Sequence, residues 1–140
     1  MGFPIGEKLT KIFEYDFDVD GGAVGTIAMR SVGADLHAGC HITRMYIIAS
    51  DLSTSAGTPT VIIGNTTDDN GYFEDIYALL AADKSISSGE VAGALLFDDT
   101  NDHEIMYSPA VANDLDMNMI IGTAALTAGK FKLFVEFIRA

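Results

Sequence analysis

The sequence predicts an all-β protein, an antiparallel sandwich or barrel of about eight short strands with at most one short helix. Ala-Gly pairs beginning at Ala38, Ala56 and Ala128 each open a run rich in β-branched and aromatic residues. Such residues suit a pleated, half-buried surface, and glycine gives the freedom that a tight turn needs. Turn signals built from Gly, Asp and Asn recur between these runs without alternating long helical patterns, which disfavours a parallel α/β arrangement.

The first predicted strand runs from Lys8 to Phe17, where successive side chains alternate between two faces. A Gly-rich turn then leads to a smaller strand at residues 23–29. The third strand, His41–Ser50, is strongly apolar and is predicted to be central in its sheet. One face of the first strand is largely aromatic; its members are Leu9, Lys11, Phe13, Tyr15 and Phe17.

The middle of the chain combines a strand, a turn and the one predicted helix. Residues 58–64 have a TVII core that is expected to be buried on both faces. The segment NTTDDNG that follows is a turn, because Asp, Asn and Gly tolerate left-handed backbone and Asp and Asn bond their own backbone. Apolar residues then recur at helical spacing, which predicts a short helix over residues 73–82.

The remaining predicted strands cover residues 90–98, 104–107, 115–123 and 130–138. In the last of these, alternation places four apolar side chains inward: Phe131, Leu133, Val135 and Phe137. Two glycines and a proline in residues 1–7 favour an extended arm. The expected organisation is therefore an N-terminal arm over residues 1–7 and a single β-sandwich domain over residues 8–140.

Composition narrows the classes of partner. The chain has 140 residues and a formal net charge of −12, from 8 basic and 20 acidic side chains. Such a surface repels phosphate backbones and anionic membranes, so nucleic-acid and membrane binding are not expected.

The one cysteine, Cys40, excludes an intrachain disulfide. No signal-like segment and no apolar run of about 20 residues is present, which predicts a soluble protein that is not exported.

One acidic segment is a weak candidate for a metal site. Asp16, Asp18, Asp20 and Gly21 match the first half of a D-x-D-x-D-G calcium loop. Ile27 stands where the closing bidentate Glu belongs, and the flanking segments are predicted strands, which excludes an EF-hand. A β-turn cation site and a merely solvated acidic turn both stay open, and the second is the simpler interpretation.

Catalytic and cofactor motifs give no coherent site, so we expect neither an enzyme nor a cofactor. His37, Cys40 and His41 are residue types that zinc prefers, but neighbours on a strand face opposite ways and no second ligand pair completes a tetrahedron. His103 lies in an acidic stretch, where a general-base role stays open. The chain has no nucleophile elbow, no phosphate-binding glycine loop and no H-E-x-x-H pair.

Four segments carry a family resemblance through their turn and core signals: VDGGAVGTIAM, LHAGCHITRMYIIASDLSTSAGTPTVIIG, DDNGYF and ALTAGKFKLFVEF. They resemble the small jelly-roll head decoration (cement) proteins of tailed bacteriophages, over residues 18–79 and 120–138. In that family the third strand follows a turn in which Pro is usual, and His37 departs from it. Cys40 and His41 likewise replace small or apolar residues, so no binding role is transferred to that turn.

This resemblance implies a jelly-roll virion protein on the outer surface of a capsid, made in the host cytoplasm. It further implies a homotrimer whose partner is the major capsid protein and which stabilises contacts between capsid subunits, with no small-molecule substrate. Under this hypothesis the apolar residues of the N-terminal arm, Phe3, Pro4 and Ile5, are the candidate capsid contacts, because that segment cannot easily reach a core.

Other classes of function stay open at this point. A carbohydrate- or receptor-binding jelly-roll module of a phage head fibre or tail would also suit a β-sandwich, although the chain has no Trp and only 5 Tyr for aromatic platforms. A small-ligand or metal-dependent β-barrel enzyme is another alternative. A tail-tube or capsid-shell building block is the last, and the chain is short for a shell subunit.

Overall fold

The computed structural model describes residues 8–33, 40–87, 93, 95, 97–98, 103–104 and 116–139. Within them the chain forms ten strands and two helices of four residues each. The elements are β1 Lys8–Asp16, α1 Phe17–Asp20, β2 Gly25–Ala28, β3 Arg30–Gly33, β4 Cys40–Ser55, β5 Thr60–Gly64, α2 Tyr77–Leu80, β6 Ser85–Ser87, β7 Phe97–Asp98, β8 His103–Glu104, β9 Asn118–Gly122 and β10 Leu126–Arg139. In the described part of the chain, no helix has the length and apolar character needed to cross a bilayer.

The described strands form a five-stranded sheet in the order β3-β1-β10-β4-β6, a three-stranded sheet in the order β2-β9-β5 and a small β7-β8 pair. Every pairing is antiparallel. The last strand, β10, lies beside the first, with Lys8 opposite Ile138 and Asp16 opposite Lys130. Its other edge pairs with β4. The predicted all-β sandwich is confirmed, with one short helix more than expected.

The core lies between the two larger sheets and forms one cluster of buried side chains. The four inward positions predicted for the last strand are confirmed, since all are at most 1% exposed: Phe131, Leu133, Val135 and Phe137. The facing sheet contributes Met119 and Ile121 from β9 and Val61 and Ile63 from β5, all fully buried. Because the alternate residues of each strand turn outward, each sheet has one apolar face.

Three short elements were not predicted: α1, β3 and β6. The strand predicted over residues 23–29 is interrupted at Met29, which is buried and donates its N–H to the Met117 carbonyl. The chain therefore changes sheets there, from β2 in the smaller sheet to β3 at the edge of the larger one. The long strand β4 also runs beyond the predicted His41–Ser50, as far as Ser55.

The predicted helix over residues 73–82 is confirmed only at Tyr77–Leu80. Phe73 instead exchanges two backbone hydrogen bonds with Ile63, of 3.0 and 2.9 Å. Phe73, Ile76 and Leu80 are all fully buried. The helical spacing of these residues therefore reflects their burial. The segment is extended at its start and helical only at its end.

The turn after β5 follows the chemistry that the sequence predicts. The Asn65 side-chain oxygen accepts hydrogen bonds from the backbone N–H groups of Thr67 and Asp68, at 3.0 and 2.8 Å. Asn65 is buried, and these two hydrogen bonds within its own turn satisfy its side-chain carbonyl group and stabilise the turn. Of the strands predicted over residues 90–98 and 104–107, the described residues include Gly93 and Leu95, which are not in a strand, and the short strands β7 and β8.

The pairing of β10 with β4 contains β-bulges, and one of them places a glycine against a buried serine. The register shifts on both sides of Ala128 and again between Lys130 and Phe131. Gly129 has a φ of +144°, and a Cβ atom there would lie 2.6 Å from Ser53 Oγ. Ser53 is 2% exposed, and its hydroxyl has no hydrogen-bond partner among the described residues. A side chain at position 129 is therefore excluded by both backbone angle and space.

We predict that Gly129→Ala lowers the free energy of unfolding by about 1–3 kcal/mol or more, because it adds a steric clash to backbone strain. Gly25→Ala is the matched control, since Gly25 has nearly the same φ of +146° but open space around it. Chemical denaturation of both variants should show the larger loss for Gly129→Ala, and adding Ser53→Ala should restore part of it. Equal losses in the two glycine variants would contradict the steric contribution.

Candidate interaction surface

The outward side of the five-stranded sheet is the most distinctive described surface, and it is called here the outer sheet face. It is formed by the side chains that alternate with the core residues of β1, β10 and β4, together with those of the edge strands β3 and β6. Its members are Lys8, Thr10, Ile12, Glu14, Asp16, Arg30, Val32, His41, Arg44, Tyr46, Ile48, Ser85, Ser87, Lys130, Lys132, Phe134, Glu136 and Ile138.

An apolar row crosses four strands of this face. Val32, Ile12, Phe134 and Tyr46 lie directly opposite one another on β3, β1, β10 and β4. The Tyr46 and Phe134 rings stack at a centroid distance of 4.9 Å and an interplanar angle of 5°. Val32 is 49% exposed, and Ile48 in the next row is 48% exposed. Apolar side chains thus face solvent at one place on a rigid sheet.

Ion pairs flank the apolar row. Arg44 lies over the Tyr46 ring, with its guanidinium carbon 4.6 Å from the ring centroid. Five ion pairs lie on or beside the outer sheet face: Arg30–Glu14 at 3.5 Å, Arg30–Asp20 at 3.0 Å, Arg44–Glu136 at 3.8 Å, Lys130–Asp16 at 3.6 Å and Lys132–Glu14 at 3.7 Å. Exposed pairs of this kind contribute little stability one by one, but together they cancel the charge of the face.

The strongest of these pairs anchors the corner where β1 runs into α1. Arg30 donates from Nε to Asp20 Oδ1 at 3.2 Å and from Nη2 to Asp20 Oδ2 at 3.0 Å. The backbone N–H of Asp16 also donates to Asp20 Oδ2, at 2.8 Å. Partial burial raises the pKa of Asp20, but these hydrogen bonds and the positive charge of Arg30 outweigh it, so the pKa is lowered from its ordinary value.

Tyr15 supports the same corner from the core side. Its hydroxyl donates to the Gly21 carbonyl at 2.7 Å, and its ring packs on Phe131 at a centroid distance of 5.4 Å. Burial, with added repulsion from the Asp20 and Asp16 carboxylates, raises the pKa of Tyr15 to about 12. The phenol therefore stays protonated at neutral pH and acts as a structural donor.

The three candidate metal ligands, Asp16, Asp18 and Asp20, lie at this corner. The carboxylates of Asp16 and Asp20 already accept hydrogen bonds from donors of the protein. Asp20 is bound by Arg30, and Asp16 caps α1 by accepting from the Asp18 N–H at 3.0 Å. Asp16 also pairs with Lys130. Asp18 is exposed. Within the described residues, no group of three or more His, Cys, Asp or Glu side chains is arranged to hold a metal ion.

The other residues singled out in the sequence do not form a site in the described structure. Cys40 is fully buried and His41 half-buried, so they face opposite ways on β4, as alternation predicts. His37 lies outside the described residues, as do the candidate capsid contacts Phe3, Pro4 and Ile5. His103 is described in its backbone only, within β8.

A shallow cavity of about 430 Å³ lies over the outer sheet face, lined mainly by Glu14, Arg30, Ile48, Lys130, Lys132 and Phe134. Its charged groups are largely committed to the ion pairs described above. Its lining also includes Asp16 and Ser50.

Sequence reasoning missed this face, although part of its signal was present. The alternation that places Phe131 and Leu133 inward also places Lys130, Lys132 and Phe134 outward. The sequence of one strand does not show which strands lie beside it in the sheet. The stacking of Tyr46 on Phe134 depends on β10 lying beside β4, and the pairing of Arg30 with Glu14 depends on the unpredicted strand β3.

No protein-family model and no curated protein matches the sequence. Comparison with solved structures shows that this chain shares its fold with chains of two phage capsids. A chain of the cyanophage Pam1 capsid asymmetric unit superposes with a TM-score of 0.62 and 14% identity, over 100% of this chain and 89% of that chain. A chain of the acid-stable capsid of Helicobacter pylori bacteriophage KHP30 gives a TM-score of 0.60 and 12% identity, over 96% and 90% of the two chains.

We predict that Asp20→Asn lowers the free energy of unfolding at pH 7 by about 1–2 kcal/mol, because charge-assisted hydrogen bonds to Arg30 are lost. A lowered folded-state pKa stabilises the fold above the ordinary value of 3.8 and loses that contribution as the pH falls through the lowered pKa. The difference from the wild type should therefore shrink below pH 3.8. Thermal and urea unfolding across this range measures it.

Asp18→Asn is the control for this experiment, because it removes an exposed carboxylate from the same helix. We expect it to stay within about 0.5 kcal/mol of the wild type at every pH. A difference between Asp20→Asn and the wild type that is constant over the whole pH range would contradict the role assigned to the Asp20–Arg30 pair.

Proposed function

We propose that this chain is a virion structural protein of the decoration (cement) type. It binds the outer surface of a bacteriophage capsid as a homotrimer and stabilises contacts between major capsid protein subunits. The proposal depends on one observation. Nearly the whole of this chain superposes on nearly the whole of a chain from each of two phage capsids. Such a match involves chains of similar length and the same arrangement of strands, so it is a likeness of whole folds.

Strand order supports a jelly roll as the fold of this decoration protein. The larger sheet has β1, β10, β4 and β6 as consecutive neighbours, and the smaller sheet has β2, β9 and β5. Along the chain, β4, β5, β6, β9 and β10 therefore alternate between the two larger sheets. Alternation of this kind, with the first strand beside the last, is what two Greek keys folded into a double sheet require.

The proposed mechanism is mass action and multivalency. A protein that binds assembled capsomers better than separated ones stabilises the assembly, by about 2.7 kcal/mol per site when its free concentration is 100 times its dissociation constant. Linking three weak contacts in one homotrimer makes the second and third binding events intramolecular, which raises the overall affinity. The acidic surface would complement basic patches on a shell and has no need to meet packaged DNA.

The N-terminal arm is the proposed capsid contact. Phe3, Pro4 and Ile5 are apolar and precede β1 in the sequence, and the first residue of β1, Lys8, pairs with Ile138 at one end of the larger sheet. Burying a Phe or an Ile side chain contributes roughly 1.5–3 kcal/mol. Three arms in one trimer would multiply that contribution.

We predict that the purified chain co-sediments with shells of its own virus that lack it, and that it raises the temperature at which those shells break. The double variant Phe3→Ser with Ile5→Ser should bind about tenfold more weakly or worse, because each lost contact is worth more than the 1.4 kcal/mol that corresponds to a factor of ten. Glu7→Gln is the control in the same arm, and we expect it to bind as the wild type does.

The two parts of this proposal fail separately. Wild-type protein that does not sediment with its own shells would refute the decoration function. Variant protein that binds as tightly as the wild type would refute the role of Phe3 and Ile5 and leave decoration standing.

A further inference from the structure

We propose that the outer sheet face is the surface through which copies of this chain associate. The inference rests on the homo-oligomer of the proposed function and deepens it by assigning the contact surface. It commits to one occupant, a second copy of this chain. Three properties of the face support it: exposed apolar area, cancelled charge and size.

The apolar area is concentrated and rigidly held. Val32 and Ile48 are about half exposed, and the stacked rings of Tyr46 and Phe134 lie on β4 and β10. Apart from that of Val32 on the edge strand β3, the backbone beneath these side chains belongs to β10 and β4, which are long strands paired along most of their length. Side chains on such a framework lose little freedom on binding, which lowers the entropic cost of association.

Charge favours a second copy at this face over the rest of the described surface. Two chains of net charge −12 repel each other unless they meet where charge is cancelled. The face carries five of the 8 basic residues of the chain, and four of them pair with nearby carboxylates: Arg30, Arg44, Lys130 and Lys132. Away from it, Lys84 is exposed and Lys11 is buried.

The internal pairing also argues against a free anion as the occupant. Arg30 is bound to both Asp20 and Glu14, and Lys132 also pairs with Glu14. A small anion would have to displace these carboxylates, whereas a flat protein surface can cover the face with the pairs intact. Such pairs can also rearrange across the contact and fix the register of the two copies.

The size of the face is sufficient. Strands about 4.8 Å apart with a rise of about 3.3 Å per residue give the long central strands and their short neighbours a combined area of roughly 700 Å². A standard interface buries about 800 Å² per partner. The face thus supplies most of a stable contact, and the loops around it can supply the remainder.

Sedimentation equilibrium of the purified full chain, without shells, tests the proposal. We expect the wild type to sediment as a multiple of the chain mass. Ile48→Asp places a charge in the apolar area and should raise the dissociation constant by about tenfold or more. Val24→Asp is the matched control, because Val24 is 58% exposed and lies outside the outer sheet face; it should leave the assembly intact.

Further measurements separate loss of association from loss of fold. Ile48→Thr keeps a β-branched residue and should also weaken association, in a chain whose circular dichroism and melting temperature match the wild type. Raising the salt concentration should strengthen association of the wild type, since it screens repulsion between acidic copies.

Three results would overturn the inference. The first is a wild-type chain that is monomeric at every concentration tested, even if it binds shells. The second is dissociation by Val24→Asp as large as that by Ile48→Asp. The third is a folded Ile48→Asp variant that stays assembled but no longer binds shells, because the face would then contact the capsid. An assembled wild type that fails to bind shells would refute decoration alone and leave this inference supported.

Discussion

The pairing of β10 with both β1 and β4 is the constraint on which the rest of the structure depends. The last strand fills the middle of the larger sheet, so the first strand has no neighbour there except β10 and the short edge strand β3. Sheet completion therefore requires contacts between the two ends of the described chain. Strand pairing at such sequence separation carries an entropic cost of loop closure, and non-local pairing of this kind generally slows folding.

The same strand joins the core to the proposed contact surface. Its inward side chains, such as Phe131 and Leu133, are buried against the smaller sheet, and its outward ones, such as Lys132 and Phe134, form the centre of the outer sheet face. Packing on one side thus fixes the positions of groups on the other. The bulges near Gly129 add curvature at one end of this strand, close to the corner held by Asp20 and Arg30.

Alternation was enough to predict β1, β9 and β10, and apolar runs predicted β4 and β5. The expectation that β5 is buried on both faces was wrong, because Val61 and Ile63 are buried but Thr60 is exposed and Ile62 only half-buried. Alternation was not enough for β3 or β6, which are short edge strands with few buried residues. The helical spacing of Phe73 and Ile76 overstated α2, since burial in a mixed segment imitates the same period. The outer sheet face could not be predicted, because cross-strand neighbours such as Tyr46 and Phe134 are set by sheet order, which no single strand encodes.

Electron cryo-microscopy of virus capsids reconstituted with this chain is the decisive measurement. We expect copies of the β-sandwich grouped on the outer surface of the shell, with their outer sheet faces turned toward one another. Particles that exclude the chain, or bound copies whose outer sheet faces are open to solvent, would contradict this expectation.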